Sequence, residues 1–147
     1  MSDDQFNKFV DKLEREIIET EIKDHNKYIV DLFRNPQNWG KPPKEKYNFF
    51  QECWGNKGEV LQLFLNINKE GIIEEAYFLT DGCGCMIATG SQTTIIIKGK
   101  SVEFAENLKS SDLDKALKGL PKHEMYCAEL AIKALKSIIK SYKESLY

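Results

Sequence analysis

Phe6, Phe9, Val10, Leu13 and Ile17 recur three and four residues apart, with charged side chains between them. That spacing predicts an amphipathic helix from residue 5 to about 22. Tyr28, Ile29, Leu32 and Phe33 predict a second, shorter helix. Asn35-Pro36 stops it, because the residue before a proline is pushed out of the helical region. Residues 35 to 46 hold three of the four prolines and read as an irregular connection.

The pattern then changes. Tyr47 to Gln51 predicts a short strand, and Val60 to Ile67 and Ile72 to Leu79 are rich in β-formers. Asn68-Lys69-Glu70-Gly71 joins the last two as an antiparallel hairpin, with Gly71 free to take a positive φ. Residues 86 to 98 are ambiguous. Thr93-Thr94-Ile95-Ile96-Ile97 favours a strand, whereas Met86-Ile87-Ala88 leading in and Gly99 after Lys98 suit a buried helix and its cap. Ser101 to Leu108 reads as a short helix capped by Ser101. Ser111 is the expected cap of a helix over 112–118, closed by Gly119-Leu120-Pro121. Leu130, Ala131, Ala134, Leu135, Ile138, Ile139 and Tyr142 form the apolar stripe of a last, long helix faced with lysines. Strands and helices are segregated along the chain, which predicts an α+β fold: a small antiparallel β-sheet packed against several α-helices, with an extra N-terminal helix.

Charge and length narrow the partners. The 147 residues fit one domain and can bury a core without disulfide staples. With 21 Lys+Arg against 23 Asp+Glu the net charge is -2, so no nucleic-acid partner is expected. No apolar run approaches the ~20 residues that cross a bilayer, so no membrane partner is expected either. The N-terminal Met1-Ser2-Asp3-Asp4-Gln5 is polar and acidic, unlike an export signal, and the expected compartment is the cytoplasm. Thiols stay reduced there, so Cys53, Cys83, Cys85 and Cys127 are read as ligands, reactive thiols or core residues rather than disulfides.

Gly82-Cys83-Gly84-Cys85 is the sharpest local signal. A thiol ligates or attacks as its thiolate, and a helix N-terminus, a cation or a metal favours that form. On the helical reading of 86–98, Cys83 and Cys85 open a helix, and the two glycines let backbone N–H groups approach sulfur. Cys127 opens the last helix, where the dipole favours a thiolate. Cys-x-Cys alone is a weak metal signal, because zinc pairs are usually spaced by two to four residues. His25 is read as a surface or packing residue, and His123 as an exposed residue at a helix start. Neither a phosphate-binding loop nor a dinucleotide fingerprint is present.

Four stretches, in order, resemble the iron–sulphur cluster assembly scaffold family of the NifU N-terminal domain and IscU type. They are Tyr28 to Gly40 with Asn35-Pro36-Gln37-Asn38-Trp39-Gly40, the hairpin from Val60 to Phe78, Thr80 to Ser91 around Gly82-Cys83-Gly84-Cys85, and Leu120-Pro121 followed by Tyr126-Cys127-Ala128-Glu129-Leu130-Ala131. The likeness covers about residues 26 to 143. It divides the chain into an N-terminal helical extension, 1–25, and a scaffold domain, 26–147. It also implies that residues 86 to 98 are helical and that the ligands cluster at one exposed end of the sheet.

The resemblance implies a ligand set of three cysteines and an acidic residue. Its second and third cysteines fall on Cys83 and Cys127. An ungapped count puts the family's Cys-Gly-Asp on Lys57-Gly58-Glu59, and Tyr126 stands where a histidine often joins the site. Lys57 has no free lone pair as an ammonium, whereas Glu59 keeps the carboxylate. Cys85 is the preferred third thiolate, with Cys53 as the alternative if Trp54-Gly55-Asn56-Lys57 is an insertion.

The expected site is therefore Cys83, Cys85, Cys127 and Glu59, holding a transient [2Fe–2S] cluster, with zinc suited to the same donors. The expected role is a scaffold or carrier, not an enzyme. It would take sulphur from a cysteine desulfurase and pass the cluster to recipient Fe–S apoproteins. The alternatives are a sulphur-acceptor or desulfurase-activating zinc or persulfide protein that builds no cluster, and a diverged member that only binds partners. Leu120-Pro121-Lys122-His123-Glu124 keeps only Leu-Pro of the family's chaperone-docking segment, so chaperone docking is not expected. The face of Phe6, Phe9 and Leu13 is expected to pack on its own domain, with a homodimer as the other option.

Overall fold

A computed structural model describes residues 3–24 and 26–147; the side chains of residues 17–24 lie outside the description, as does His25. The elements in chain order are α1 (Asp3–Asp24), α2 (Lys27–Arg34), a 3-10 turn (Lys44–Lys46), β1 (Phe49–Trp54), β2 (Val60–Ile67), β3 (Ile73–Thr80), α3 (Gly84–Ile97), α4 (Val102–Glu106), α5 (Ser110–Ala116), a second 3-10 turn (Lys122–Glu124) and α6 (Met125–Ser145). The strands form one antiparallel sheet in the order β1-β2-β3. The architecture is α+β.

Alternation explains the sheet. Leu61, Leu63, Leu65 and Ile67 of β2, with Ala76 and Phe78 of β3, are buried and belong to the main core. Phe64 points the other way and is covered by Tyr47 and Phe50, with ring centroids 5.1 and 5.0 Å away. The free side of β3 meets the loop after α2: the Phe78 N–H donates to the Asn38 carbonyl at 3.0 Å, and the Gly40 N–H donates to the Phe78 carbonyl at 2.8 Å. This contact covers an edge that would otherwise pair with another strand.

The ambiguous stretch is helical, and it lies at the centre of the fold. α3 packs against β3, α2, α5 and α6. Ten of its fourteen residues are buried, so it shows no polar face from which a period could be read. Its hydroxyls are spent locally. Thr89 donates to the Cys85 carbonyl and Thr93 to the Thr89 carbonyl, each at 2.7 Å, and Thr94 donates to the Ser91 carbonyl at 2.8 Å. Gly90 lets the helix lie close to the sheet, because a Cβ there would sit 2.3 Å from the Phe78 ring.

Three local expectations are corrected. The first strand starts at Phe49 and runs to Trp54, since its register continues to the Trp54–Val60 pair. α5 starts one residue before Ser111 and is capped from Lys109, whose N–H donates to Asp112 Oδ2 at 2.9 Å; Ser111 is no cap. Phe6, Phe9 and Leu13 are exposed rather than packed on the domain; α1 meets α2 and leaves this face in solvent. Ile17 of the same stripe lies outside the described side chains.

Candidate functional site

Three chain reversals meet at one end of the sheet. The first, Gly55 to Glu59, joins β1 to β2 and is closed by the Gly55 N–H donating to the Glu59 carbonyl at 2.8 Å. The second, Asp81 to Cys83, joins β3 to α3. The third is the turn Lys122–Glu124 entering α6. Together they line an open cavity of about 460 Å³ whose wall includes Lys57, Glu59, Asp81, Cys83, His123, Glu124 and Tyr126.

Local chemistry fixes each wall. Asp81 Oδ1 accepts from the Val60 N–H at 2.7 Å, tying the second reversal to the first. Thr80 Oγ1 donates to the Val60 carbonyl and accepts from the Gly82 N–H. Gly84 is needed because any Cβ would meet the Phe33 ring at 2.9 Å; the ring of α2 lies against this backbone. Cys83 is the N-cap of α3.

The four cysteines are free and unequal: Cys83 is exposed, whereas Cys53, Cys85 and Cys127 are buried. Cys83 Sγ lies 3.7 Å from Tyr126 Oη, with the Cys127 thiol and the backbone N–H groups of Met86 and Cys85 close by. These donors, led by Cys127, bring the Cys83 thiol down to about 5 against a smaller opposing effect of burial. Cys83 is therefore the most acidic of the four thiols. Cys127 shares its proton with Cys83 and is fully buried, and both effects hold its thiol far above the usual range. The expectation of a dipole-favoured thiolate at Cys127 is thus corrected: the neighbouring anion outweighs the helix end. Burial raises the Cys85 thiol, and its hydrogen bond to Glu124 raises it further.

Cys83 and Glu59 line the cavity, whereas Cys85 and Cys127 are buried close to Cys83 and are not part of its wall. Among the described residues no three His, Cys, Asp or Glu side chains stand arranged to hold a metal ion without moving. Glu59 is turned onto its own loop: Oε2 accepts from the Lys57 N–H at 3.1 Å, while Oε1 is buried without a hydrogen-bond partner. Cys53 does not reach the cavity. It faces the core from β1, paired with Leu61 in unbroken register. Lys57 reaches over the Tyr126 ring, 5.8 Å from its centroid. His123 is exposed, as expected, and stands at the cavity mouth. Sequence reasoning missed Asp81 and Glu124. Asp81 directly precedes the Gly-Cys-Gly-Cys run, a position that could have flagged it, whereas no spacing relates residue 124 to residue 85.

The NifU-like N terminal domain family matches residues 24–146. The chain belongs to this family. Among its relatives, the Iron-sulfur cluster assembly scaffold protein IscU of Rickettsia prowazekii is 38% identical over 122 residues, covering 82% of this chain and 92% of that protein. The mitochondrial Iron sulfur cluster assembly protein 1 of Schizosaccharomyces pombe is 36% identical over 121 residues, or 81% of this chain. The match spans 62% of the length of that yeast protein. The fold likeness extends to the N-terminal NifU-like protein of Brucella abortus, with a TM-score of 0.66 at 14% identity, covering 84% and 96% of the two chains. The NifU-like match begins at residue 24 and so leaves most of α1 outside it.

Proposed function

We propose that the chain is a non-catalytic scaffold on which an iron–sulphur cluster is assembled and from which it is handed on. The observation that carries this reading is an exposed Cys83 on the wall of an open cavity in a NifU-like domain, with buried Cys85 and Cys127 close to it. Soft thiolate donors suit iron–sulphur clusters and zinc alike. We assign Cys83, Cys85 and Cys127 as the thiolate ligands and Glu59 as a carboxylate donor, with a [2Fe–2S] cluster as cargo and zinc able to take its place. Exposed Cys83 meets iron or sulphide first. Cys85 and Cys127 must turn toward the cavity and shed their protons, so ligation is costly and release is easy, as a carrier requires.

Sulphur for the cluster comes from a cysteine desulfurase as a persulfide, which needs an accessible thiolate as acceptor, and an external electron donor supplies the two electrons that turn each sulfane sulphur into sulphide. Only Cys83 among the cysteines is exposed, and it takes that role. Fe–S apoproteins are the recipients, and the cytoplasm is the working compartment. The reading as a sulphur acceptor that builds no cluster is not favoured, because the relatives compared carry cluster-assembly names.

Reconstitution with ferrous iron and sulphide under anaerobic conditions tests the assignment. The wild-type protein should show visible charge-transfer bands with about two irons and two sulphides per cluster. Cys83→Ala should retain no cluster after desalting; full retention would exclude Cys83 as a ligand.

A further inference from the structure

The carboxylates around the cavity are not equivalent. Asp81 and Glu59 both fasten the loop before β2 through its backbone N–H groups. Glu124 does something else. It stands on the 3-10 turn three residues before Cys127, with its side chain 15% exposed. Its Oε2 accepts the Cys85 thiol, and its Oε1 lies 4.0 Å from Nε2 of His123. Glu124 thus joins the cavity wall to the buried Cys85 thiol. Lys57, also on the wall, has no lone pair to offer as an ammonium and lies over Tyr126.

We propose that Cys85 and Glu124 form a thiol–carboxylate half-site for a divalent metal, which takes over from the donor that Lys57 cannot be. The inference deepens the scaffold reading and rests on it. A thiol hydrogen-bonded to a carboxylate presents one sulfur and one oxygen to a shared proton. A divalent iron or zinc ion replaces that proton. A sulfur–metal and an oxygen–metal bond form, the S–H bond breaks and its proton leaves to buffer; no electron is transferred. Carboxylate oxygen binds such metals less tightly than thiolate does, so a mixed half-site suits a metal that must leave again.

The test is a Co²⁺ titration of the full-length, reduced protein without oxygen, with affinity read by chelator competition. Thiolate-to-cobalt charge transfer reports sulfur donors, and the ligand-field bands report the oxygen donor. Glu124→Gln and Cys85→Ser should each weaken Co²⁺ binding about tenfold or more. Glu124→Gln should also shift the ligand-field bands, Cys85→Ser should lower the charge-transfer intensity, and Glu124→Asp should restore most of the affinity. Co²⁺ binding by Glu124→Gln within twofold of wild type, with unchanged ligand-field bands, would overturn the pair. Circular dichroism of the metal-free variants checks folding; if Glu124→Gln is unfolded, Glu124→Asp and Cys85→Ser carry the decision. Cys83→Ala separates the two levels. Should it abolish binding while Glu124→Gln does not, only the half-site falls. Should it bind as wild type does, or should wild type bind no Co²⁺, the scaffold reading falls as well and takes the half-site with it.

Discussion

Cys83 and Cys127 hold the same functional group, yet the fold gives them opposite acidities. Cys83 is exposed and caps α3, whereas Cys127 is fully buried close to it. Iodoacetamide should therefore modify Cys83 alone in the native protein at pH 7, with a rate that rises through a midpoint near pH 5. Peptide mass spectrometry reads the site, and a midpoint at the ordinary thiol value of ~8.5 would contradict the assignment. The same shift links to stability. The Cys83 pKa is lowered in the folded state, so its ionisation stabilises the fold fully above the unfolded thiol pKa. That contribution declines as the pH falls and is gone below about 5. Part of this was legible in the sequence: Gly82-Cys83-Gly84 marks a sulfur that backbone amides can approach. The burial of Cys127 was not, because it depends on what α3 lays against the first turn of α6.

At the scale of elements, Asn26 joins two helices that are far apart in sequence. Its Oδ1 accepts from the Ile29 N–H at 2.9 Å as the N-cap of α2. Its Nδ2 donates to the carbonyls of Leu117, Lys118 and Gly119 at 2.9 to 3.2 Å, which close the end of α5. Asn26→Ala should lower unfolding stability by about 1–2 kcal/mol, measured by urea titration; a change within a few tenths would show that water replaces both caps. Long amphipathic elements such as α6 were readable from their spacing, and so was the β2–β3 hairpin. α3 was not, since a helix buried on nearly every side loses the polar face that gives a period its contrast. Its helical state is decided by tertiary context against a β-branched run. The resemblance of Gly82 to Ser91 to the NifU-like family supplied what periodicity could not.

Across the whole molecule, α1 meets α2 and holds Phe6, Phe9 and Leu13 in solvent. A chain reduced to 26–147 should keep its cluster on reconstitution and unfold within about 4 °C of the full chain in a thermal scan. Loss of cluster retention would make α1 part of the site's support rather than an extension. The family resemblance pointed to the end of the sheet where Cys83 and Glu59 line the cavity, whereas the Cys85–Glu124 contact followed from no pattern in the chain.

The cavity is assembled from reversals near residues 57, 83 and 126, each brought in by a different pair of elements. Synthesis delivers them one at a time. The sheet and Cys83 leave the ribosome well before Cys127, whose side chain supplies the leading hydrogen bond to Cys83. A nascent chain paused before α6 therefore carries a Cys83 of more ordinary reactivity, and it acquires its reactive sulfur only when the last helix docks.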